Sequence, residues 1–176
     1  PRMTTLYGMS SSGNCYKLQL ACAQLGIEHE WEEIDVTRGE NLSPEFLALN
    51  DRGKVPVLAV KQGFINETSV ILEYIEHTQE GPSLLPADPF QRAQVLALCR
   101  EIELYIELPA RACFAEAFFG MSVAEAIKEK AKAELLLGFA SLERHGKFAP
   151  YVAGNSLSVA DLYFQYSVNL ALVVGD

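Results

Sequence analysis

The chain has 176 residues, 49% hydrophobic and 21% charged, an ordinary globular composition that excludes a largely disordered chain and suffices for one large domain or two small ones. Its net charge of −9, from 14 Lys and Arg against 23 Asp and Glu, sets up a field that repels nucleic acid and anionic membranes. The cysteines, Cys15, Cys22, Cys99 and Cys113, form no CxxC pair, so neither a metal site nor a redox dithiol is expected. Cys22 and Cys99 fall in apolar helical patterns and are read as buried thiols. No signal peptide or membrane-spanning run is read. The apolar stretch Leu162 to Val174 is too short and is broken by Gln165, Ser167 and Asn169, so a reducing cytoplasm is the expected compartment.

Thr5-Leu6-Tyr7-Gly8 reads as a short strand, followed by a small polar loop from Met9 to Asn14. Leu18, Ala21, Cys22 and Leu25 then recur at i, i+3, i+4, i+7, the spacing of a helix, and Gly26 caps it. His29 to Asp35 predicts a second strand, with Trp31 and Ile34 its apolar members. A strand–helix–strand unit of this length crosses over right-handed and makes its strands parallel. After a polar stretch, Val36 to Asn41, Ser43-Pro44-Glu45 predicts an N-cap with proline at the first helical position. That short helix runs through Phe46 and Leu49 and ends in the turn cluster Asn50 to Gly53.

Gly53-Lys54-Val55-Pro56-Val57-Leu58 is the stretch around which this half is organised. Proline gives nothing to a sheet ladder and belongs at a strand's first residue, an edge or a bulge. It keeps Val55 extended, with backbone groups open to a peptide-like ligand added as a strand. Strand Val57–Val60, a turn at Gln62-Gly63 and strand Phe64-Ile65 predict an antiparallel hairpin. A helix follows from Thr68 to His77, with Val70, Ile71, Tyr74 and Ile75 as its core face. The order is β-α-β-α-β-β-α, a mixed sheet with helices on it.

Three prolines within Glu80 to Pro89 mark a linker and domain boundary. Beyond it only helical patterns remain. A long helix from Pro89 to Phe118 should kink at Pro109 and stop at Gly120. Ser122-Val123-Ala124-Glu125 reads as a capping box opening a helix with Ala124, Ile127, Ala131, Leu135, Gly138 and Leu142 on one stripe. Ser158-Val159-Ala160-Asp161 reads as a second helix start of that kind. The chain ends at Gly175-Asp176 directly after an apolar helix, and further helices are expected beyond it.

Four motifs in this order make the chain resemble the soluble glutathione S-transferase family: the Ser-rich loop before the first helix, Gly53 to Leu58, Glu67-Thr68 opening the third helix, and Gly154-Asn155-Ser156-Leu157-Ser158-Val159-Ala160-Asp161. The resemblance covers essentially the whole chain. It implies an α/β thioredoxin-like glutathione-binding domain over residues 1–79, a linker over 80–89 and an all-helical domain over 90–176. It also implies that Val55–Pro56 is cis. The family's acidic–serine pair is here Glu67-Thr68, which keeps the hydroxyl. The Ser-rich loop fits serine-type members, and Tyr7, inside the first strand, lies too early to be a catalytic tyrosine.

The resemblance further implies a ligand set for glutathione. Thr68 and the N–H groups around it would take the γ-glutamyl carboxylate, and Glu67 its ammonium group or the orientation of the loop. The Val55 backbone would pair with the cysteinyl unit, and Lys54 and Arg52 would attract the glycine carboxylate. A free thiol titrates at about 8.5, and only its thiolate is a good nucleophile. Ser12, just before the first helix, is the expected thiolate-stabilising hydroxyl, with Ser10 and Ser11 as alternatives. Ser12-Gly13-Asn14-Cys15 stands where thioredoxin-like folds carry CxxC. Serine in the first position disfavours dithiol exchange, and Cys15 is expected to be structural. Met9, Tyr105, Arg111, Phe114 and Phe118 are the candidate walls of an electrophile pocket, and Glu101 or Glu103 the acidic group that reaches a partner subunit's glutathione. Pro56, Ser158 and Asp161 are expected to be structural.

The resulting reading is a homodimeric glutathione transferase acting on small hydrophobic electrophiles. One alternative is a glutathione-dependent isomerase or reductase of the same fold. A maleylacetoacetate-type isomerase would favour Ser-Ser-Cys where this chain has Ser-Ser-Gly. Another is a non-catalytic, family-related adaptor protein, against which the intact Val55-Pro56 and Glu67-Thr68 lean.

Overall fold

A computed structural model describes residues 5–175; the outer ends of the two predicted domains, residues 1–4 and 176, lie outside the described residues. The chain divides into two compact units, one ending at Ser83 and the other beginning at Leu84.

The first unit runs β1 (Thr5–Gly8), α1 (Gly13–Leu25), β2 (Glu30–Glu33), two 3-10 turns (Val36–Arg38 and Glu40–Leu42), α2 (Pro44–Leu47), β3 (Val57–Val60), β4 (Gly63–Asn66) and α3 (Thr68–Thr78). The sheet order is β2-β1-β3-β4, with β1 parallel to β2 and the other pairs antiparallel. This is the mixed sheet the sequence predicts. Its core holds Leu6, Val57 and Leu58 from the strands with Leu18, Ala21, Cys22, Ile71, Leu72 and Ile75 from α1 and α3. Gly26, at φ 66°, closes α1, and the Ser43 hydroxyl accepts from the Phe46 N–H at the start of α2. Val55–Pro56 is cis.

Three local expectations shift. Gly13 and Asn14 are helical rather than part of the loop, and β2 is shorter than His29 to Asp35. The buried face of α3 is Thr68, Ile71, Leu72 and Ile75, whereas Val70 is 51% exposed. Those four stand at i, i+3, i+4, i+7, and Val70 lies about 200° around the helix from Thr68.

The second unit contains α4 (Pro89–Ile102), a π-helical turn (Glu103–Glu107), α5 (Leu108–Arg111), α6 (Phe114–Phe119), α7 (Glu125–His145) and α8 (Val159–Val174). The single kinked helix expected from Pro89 to Phe118 is thus interrupted twice. Pro109 has no N–H for the Tyr105 carbonyl four residues back, and the chain answers with the wider turn, in which the Leu108 N–H reaches the Glu103 carbonyl. A second break falls at Ala112 and Cys113, and Gly120 at φ 62° ends α6. Ser122 does not cap α7: Glu125, which a capping box needs three residues inside the helix, is its first residue, and Ala124 stands at the N-cap with no side-chain bond. At α8 the box does form. The Ser158 hydroxyl accepts from the Ala160 N–H at 3.2 Å, and Asp161 accepts from the Ser158 N–H at 2.8 Å and the Val152 N–H at 2.9 Å. Among the described residues no helix is long and apolar enough to cross a membrane.

Gly138 on α7 packs against the π-helical turn so closely that a Cβ there would lie 2.1 Å from the Tyr105 carbonyl oxygen. That oxygen is backbone and cannot swing away. Gly138→Ala should therefore cost about 2 kcal/mol or more and lower the thermal midpoint by roughly 4–8 °C, read by circular dichroism. An unchanged midpoint would refute the close approach.

Candidate functional site

Strand register assembles the site. Tyr7 pairs with Val57 and Val57 with Asn66, so the end of β1, the start of β3 and the end of β4 share one edge of the sheet. Just past that row lie Met9 to Ser12, Val55-Pro56 and Glu67-Thr68. Three stretches widely separated in sequence thus converge within the first unit. The β1–β3 ladder starts at Val57, which leaves half-buried Val55 outside it.

The serine loop is a tight turn: the Ser12 N–H donates to the Met9 carbonyl at 2.9 Å. Ser10 is engaged with β2. Its N–H donates to Glu33 Oε1 at 2.8 Å and its hydroxyl to Oε2 at 2.6 Å, while the Trp31 indole N–H reaches the same Oε2 at 2.7 Å. The Ser10 hydroxyl first, then its N–H and the indole, hold the Glu33 carboxyl below its ordinary range. Ser11 is exposed. Ser12 is the N-cap of α1, yet its side chain makes no capping bond. Its hydroxyl is instead hydrogen-bonded to the Cys15 thiol. Burial pushes that thiol up, and the Ser12 hydroxyl and the Met9 N–H, 3.4 Å from the sulfur, offset the rise in part. Cys15 is fully buried and remains a neutral thiol, a weak partner that leaves the serine hydroxyl easily exchanged.

Two asparagines that sequence patterns registered only as turn or loop residues hold the approach to Val55. Asn41 donates to the Gly53 carbonyl at 2.8 Å, and buried Asn50 donates to the Lys54 carbonyl at 2.9 Å while accepting from the Arg52 N–H at 3.2 Å. Gly53 sits at φ 60°, where a Cβ would meet the Asn41 carbonyl oxygen at 3.0 Å. The signal was the Asn50-Asp51-Arg52-Gly53 cluster itself, whose side chains organise its own backbone. Lys54 is exposed. Arg52 stands 3.8 Å from the Glu67 carboxylate, both largely exposed.

Glu67 has φ 73° and ψ 123°, a region L-residues rarely occupy. Such a conformation costs about 1–3 kcal/mol and persists where the surroundings impose it. It turns the chain from β4 straight into α3, with Thr68 buried as the first helical residue.

The residues read as an electrophile pocket are distributed over both units. Met9 is half-buried in the serine loop of the first unit. In the second unit, Tyr105 lines an open groove of about 720 Å³ with Leu104, Leu108, Ile127 and Leu137, and neither Arg111 nor Phe114 is among its walls. Arg111 donates to buried Glu107 at 3.2 Å and hydrogen-bonds Tyr166, while Phe114 packs on Phe118 and Phe119 at ring distances of 4.5 and 5.7 Å. Tyr105 lies within the π-helical turn, and the other two lie beyond it. Glu101 is engaged by the Ser141 hydroxyl at 2.7 Å and His145 at 2.9 Å, and Glu103 by Arg100 at 3.2 Å. No cluster of three metal-ligating side chains occurs among the described residues.

Residues 6–83 match the family model described as glutathione S-transferase, N-terminal domain. A glutathione S-transferase of Pseudomonas putida strain F1 is 56% identical over 173 residues, 98% of this chain and 77% of that protein. Among solved structures, a glutathione S-transferase from Pseudomonas fluorescens Pf-5 superposes with a TM-score of 0.82 at 30% identity, covering 98% of this chain and 86% of that one. A maleylacetoacetate isomerase from Methylobacterium extorquens AM1, solved with bound malonate and GSH, superposes at 0.78 with 26% identity, over 97% and 83% of the two chains.

None of the four cysteines forms a disulfide, all four are buried, and burial pushes the Cys22 thiol up to about 11. The folded protein should therefore react slowly with an aromatic disulfide reagent at mildly alkaline pH and release its full thiol count only in denaturant. One fast-reacting equivalent in the native state would contradict this burial.

Proposed function

This chain belongs to the glutathione S-transferase family, and on that footing we propose that it binds glutathione and transfers its thiolate to small hydrophobic electrophiles. The observation that carries the reading is the convergence, at one end of the sheet, of a serine hydroxyl that caps no helix N–H, an open strand residue and a helix N-terminus. The Val55 backbone pairs with the cysteinyl unit as an added strand. Thr68 and the first N–H groups of α3 receive the γ-glutamyl carboxylate, and Glu67 its ammonium group. Lys54 attracts the glycine carboxylate. Arg52, 3.8 Å from Glu67, is better suited to steadying that carboxylate.

Ser12 is the residue for the chemistry. Its hydroxyl caps no backbone N–H of α1 and rests on a neutral thiol. A glutathione sulfur arriving beside it offers a charged acceptor, and a charge-assisted bond is about twice as strong as a neutral one. The N-terminus of α1 adds its positive end. The thiol proton leaves to solvent, and the thiolate attacks an electrophilic carbon. The new C–S bond forms as a leaving group departs with its electron pair, or as an activated double bond takes up the pair and then a proton. Ser10, held by Glu33, is the poorer candidate, and Ser11 stands between them. Among the pocket residues, Met9, Arg111 and Phe114 remain in the proposal, and Tyr105 belongs to the groove instead.

The groove supports a homodimer. Tyr105 is 56% and Leu137 73% exposed on it, an apolar surface suited to burial against a second copy. Four cysteines without a disulfide suit a reducing compartment, and the reading puts the protein in the cytoplasm.

Ser12→Ala should keep the protein on immobilised glutathione and raise the bound thiol pKa by roughly 1–2 units, the worth of one hydrogen bond to a charged group. Because the rate follows the thiolate, the rising limb of the pH–rate profile moves to higher pH, and activity lost at neutral pH returns as the medium becomes more alkaline. An unmoved pKa would remove Ser12 from the mechanism. No retention of the wild-type chain would favour the adaptor, and cis–trans isomerisation with glutathione regenerated would favour the isomerase.

Glu67→Gly should separate stability from binding. Glycine relieves the positive φ, so the thermal midpoint holds or rises, while glutathione affinity falls about tenfold or more with the lost charged contact. Leu137→Lys should shift the sedimenting species from dimer to monomer. A wild-type chain that sediments as a monomer at all concentrations would end the dimer proposal.

A further inference from the structure

Glu33 contacts none of the groups assigned above to glutathione, yet three donors converge on it. The carboxylate is exposed, where a single ion pair or hydrogen bond is worth little. Its bonds to Ser10 are of a different kind, because both oxygens are used on one residue: Oε1 takes the backbone N–H at 2.8 Å and Oε2 the hydroxyl at 2.6 Å. Two bonds to one residue fix its orientation as well as its position. The carboxylate is itself fixed from behind by the Trp31 indole N–H at 2.7 Å. Trp31 in turn lies flat against Gly8, where an added Cβ would meet the indole at 2.6 Å and the Cys15 sulfur at 2.9 Å. Gly8 pairs with Glu33 in the β1–β2 ladder, so the whole assembly is set by sheet register.

Ser10 is the second residue of the turn that the Ser12 N–H closes on the Met9 carbonyl at 2.9 Å. The orientation of the second residue of such a turn determines where the fourth one goes. We propose that Glu33 is a positioning residue for the thiolate site, which by clamping Ser10 fixes the turn that presents the Ser12 hydroxyl. The inference rests on the transferase reading. It also explains why Ser10 is the wrong serine for catalysis: its hydroxyl is consumed in aiming Ser12.

Positioning and charge make opposite predictions. Glu33 is an anion near the sulfur site, and it disfavours the Cys15 thiolate by repulsion. If its charge were all that mattered, removing it would lower the bound glutathione thiol pKa. If it positions Ser12, removing it raises that pKa. The expected result for Glu33→Ala is a raised thiol pKa and a kcat lowered about tenfold at saturating glutathione, with the glutathione KM within about threefold of wild type. Glu33→Gln, which keeps one acceptor, should fall between. Ser10→Ala should act in the same direction, and the Glu33→Ala/Ser10→Ala double variant should be no worse than Glu33→Ala alone, because the two side chains act as one unit.

The sole tryptophan supplies a readout independent of activity. Loss of the Glu33 acceptor should shift Trp31 emission in Glu33→Ala without lowering the helical circular dichroism. A thiol pKa that falls or stays put in folded Glu33 variants, additive effects of Ser10 and Glu33, or unchanged Trp31 emission would each overturn the positioning role. If Glu33→Ala does not fold, Glu33→Gln and Ser10→Ala carry the test. A wild-type protein that binds no glutathione thiolate would overturn the transferase reading and this inference with it. A wild-type thiolate signal that the Glu33 variants leave intact would overturn this inference alone.

Discussion

The pairing of Tyr7, Val57 and Asn66 across three strands is the constraint on which the rest of the first unit depends. Strand register is all-or-none, because a slip of one residue turns every side chain to the other face. Leu6 and Leu58, directly paired and fully buried, make any slip costly. Once the row is set, the serine loop, Val55 and Glu67 have nowhere else to go. None of the three needs to be rigid alone. Each is placed by the core behind it and trimmed by polar contacts: Glu33 on Ser10, Asn50 on the Lys54 carbonyl, Arg52 beside Glu67.

Charge is distributed to match. The chain as a whole is acidic, at −9, and glutathione is itself anionic, so the bulk field opposes binding. Attraction must come from close range, where bulk screening matters less, and in the proposed site Lys54, Arg52 and the N-termini of α1 and α3 would supply it. This division keeps indiscriminate anions away and rewards a ligand whose carboxylates fall in the right places. The strained backbone of Glu67 has the same character. Glycine would occupy that conformation freely but would bring no carboxylate to it.

The fold was legible wherever one residue type has one structural meaning. Gly26 and Gly120 closed helices as read, Pro56 opened a strand, and the Ser158–Asp161 box formed. Misreadings arose where several positions satisfied the same local rule. Ser122 and Ser158 carry nearly the same motif, yet only the second has its acidic partner three residues inside the helix. Val70 and Leu72 are both apolar, and which one is buried depends on where the helix enters from β4. The site's main ligand candidates were readable because glutathione chemistry demands distinct groups. Its supports were not. Glu33 looked like one more exposed acid on a strand edge, because its Ser10 partner lies 23 residues away, and Asn41 and Asn50 looked like loop filler, because their partners are backbone groups that no side-chain pattern encodes. The faces that Tyr105, Arg111 and Phe114 present were not readable either, because a proline signals a kink but not the π-helical turn by which the chain accommodates it.

That interruption has an evolutionary reading. A π-helical turn is one residue more than an α-helical turn needs, held in place without breaking the helix. Deleting a single residue between Glu103 and Glu107 would shorten that turn and rotate everything after it, Arg111 and Phe114 included, by about 100°. Adding it back would reverse the change. Lineages descended from such a chain could therefore swap the side chains presented beyond the turn by a one-codon change in length, while the glutathione half of the protein stayed untouched. The surface beyond the turn would then vary by indels as readily as by substitution.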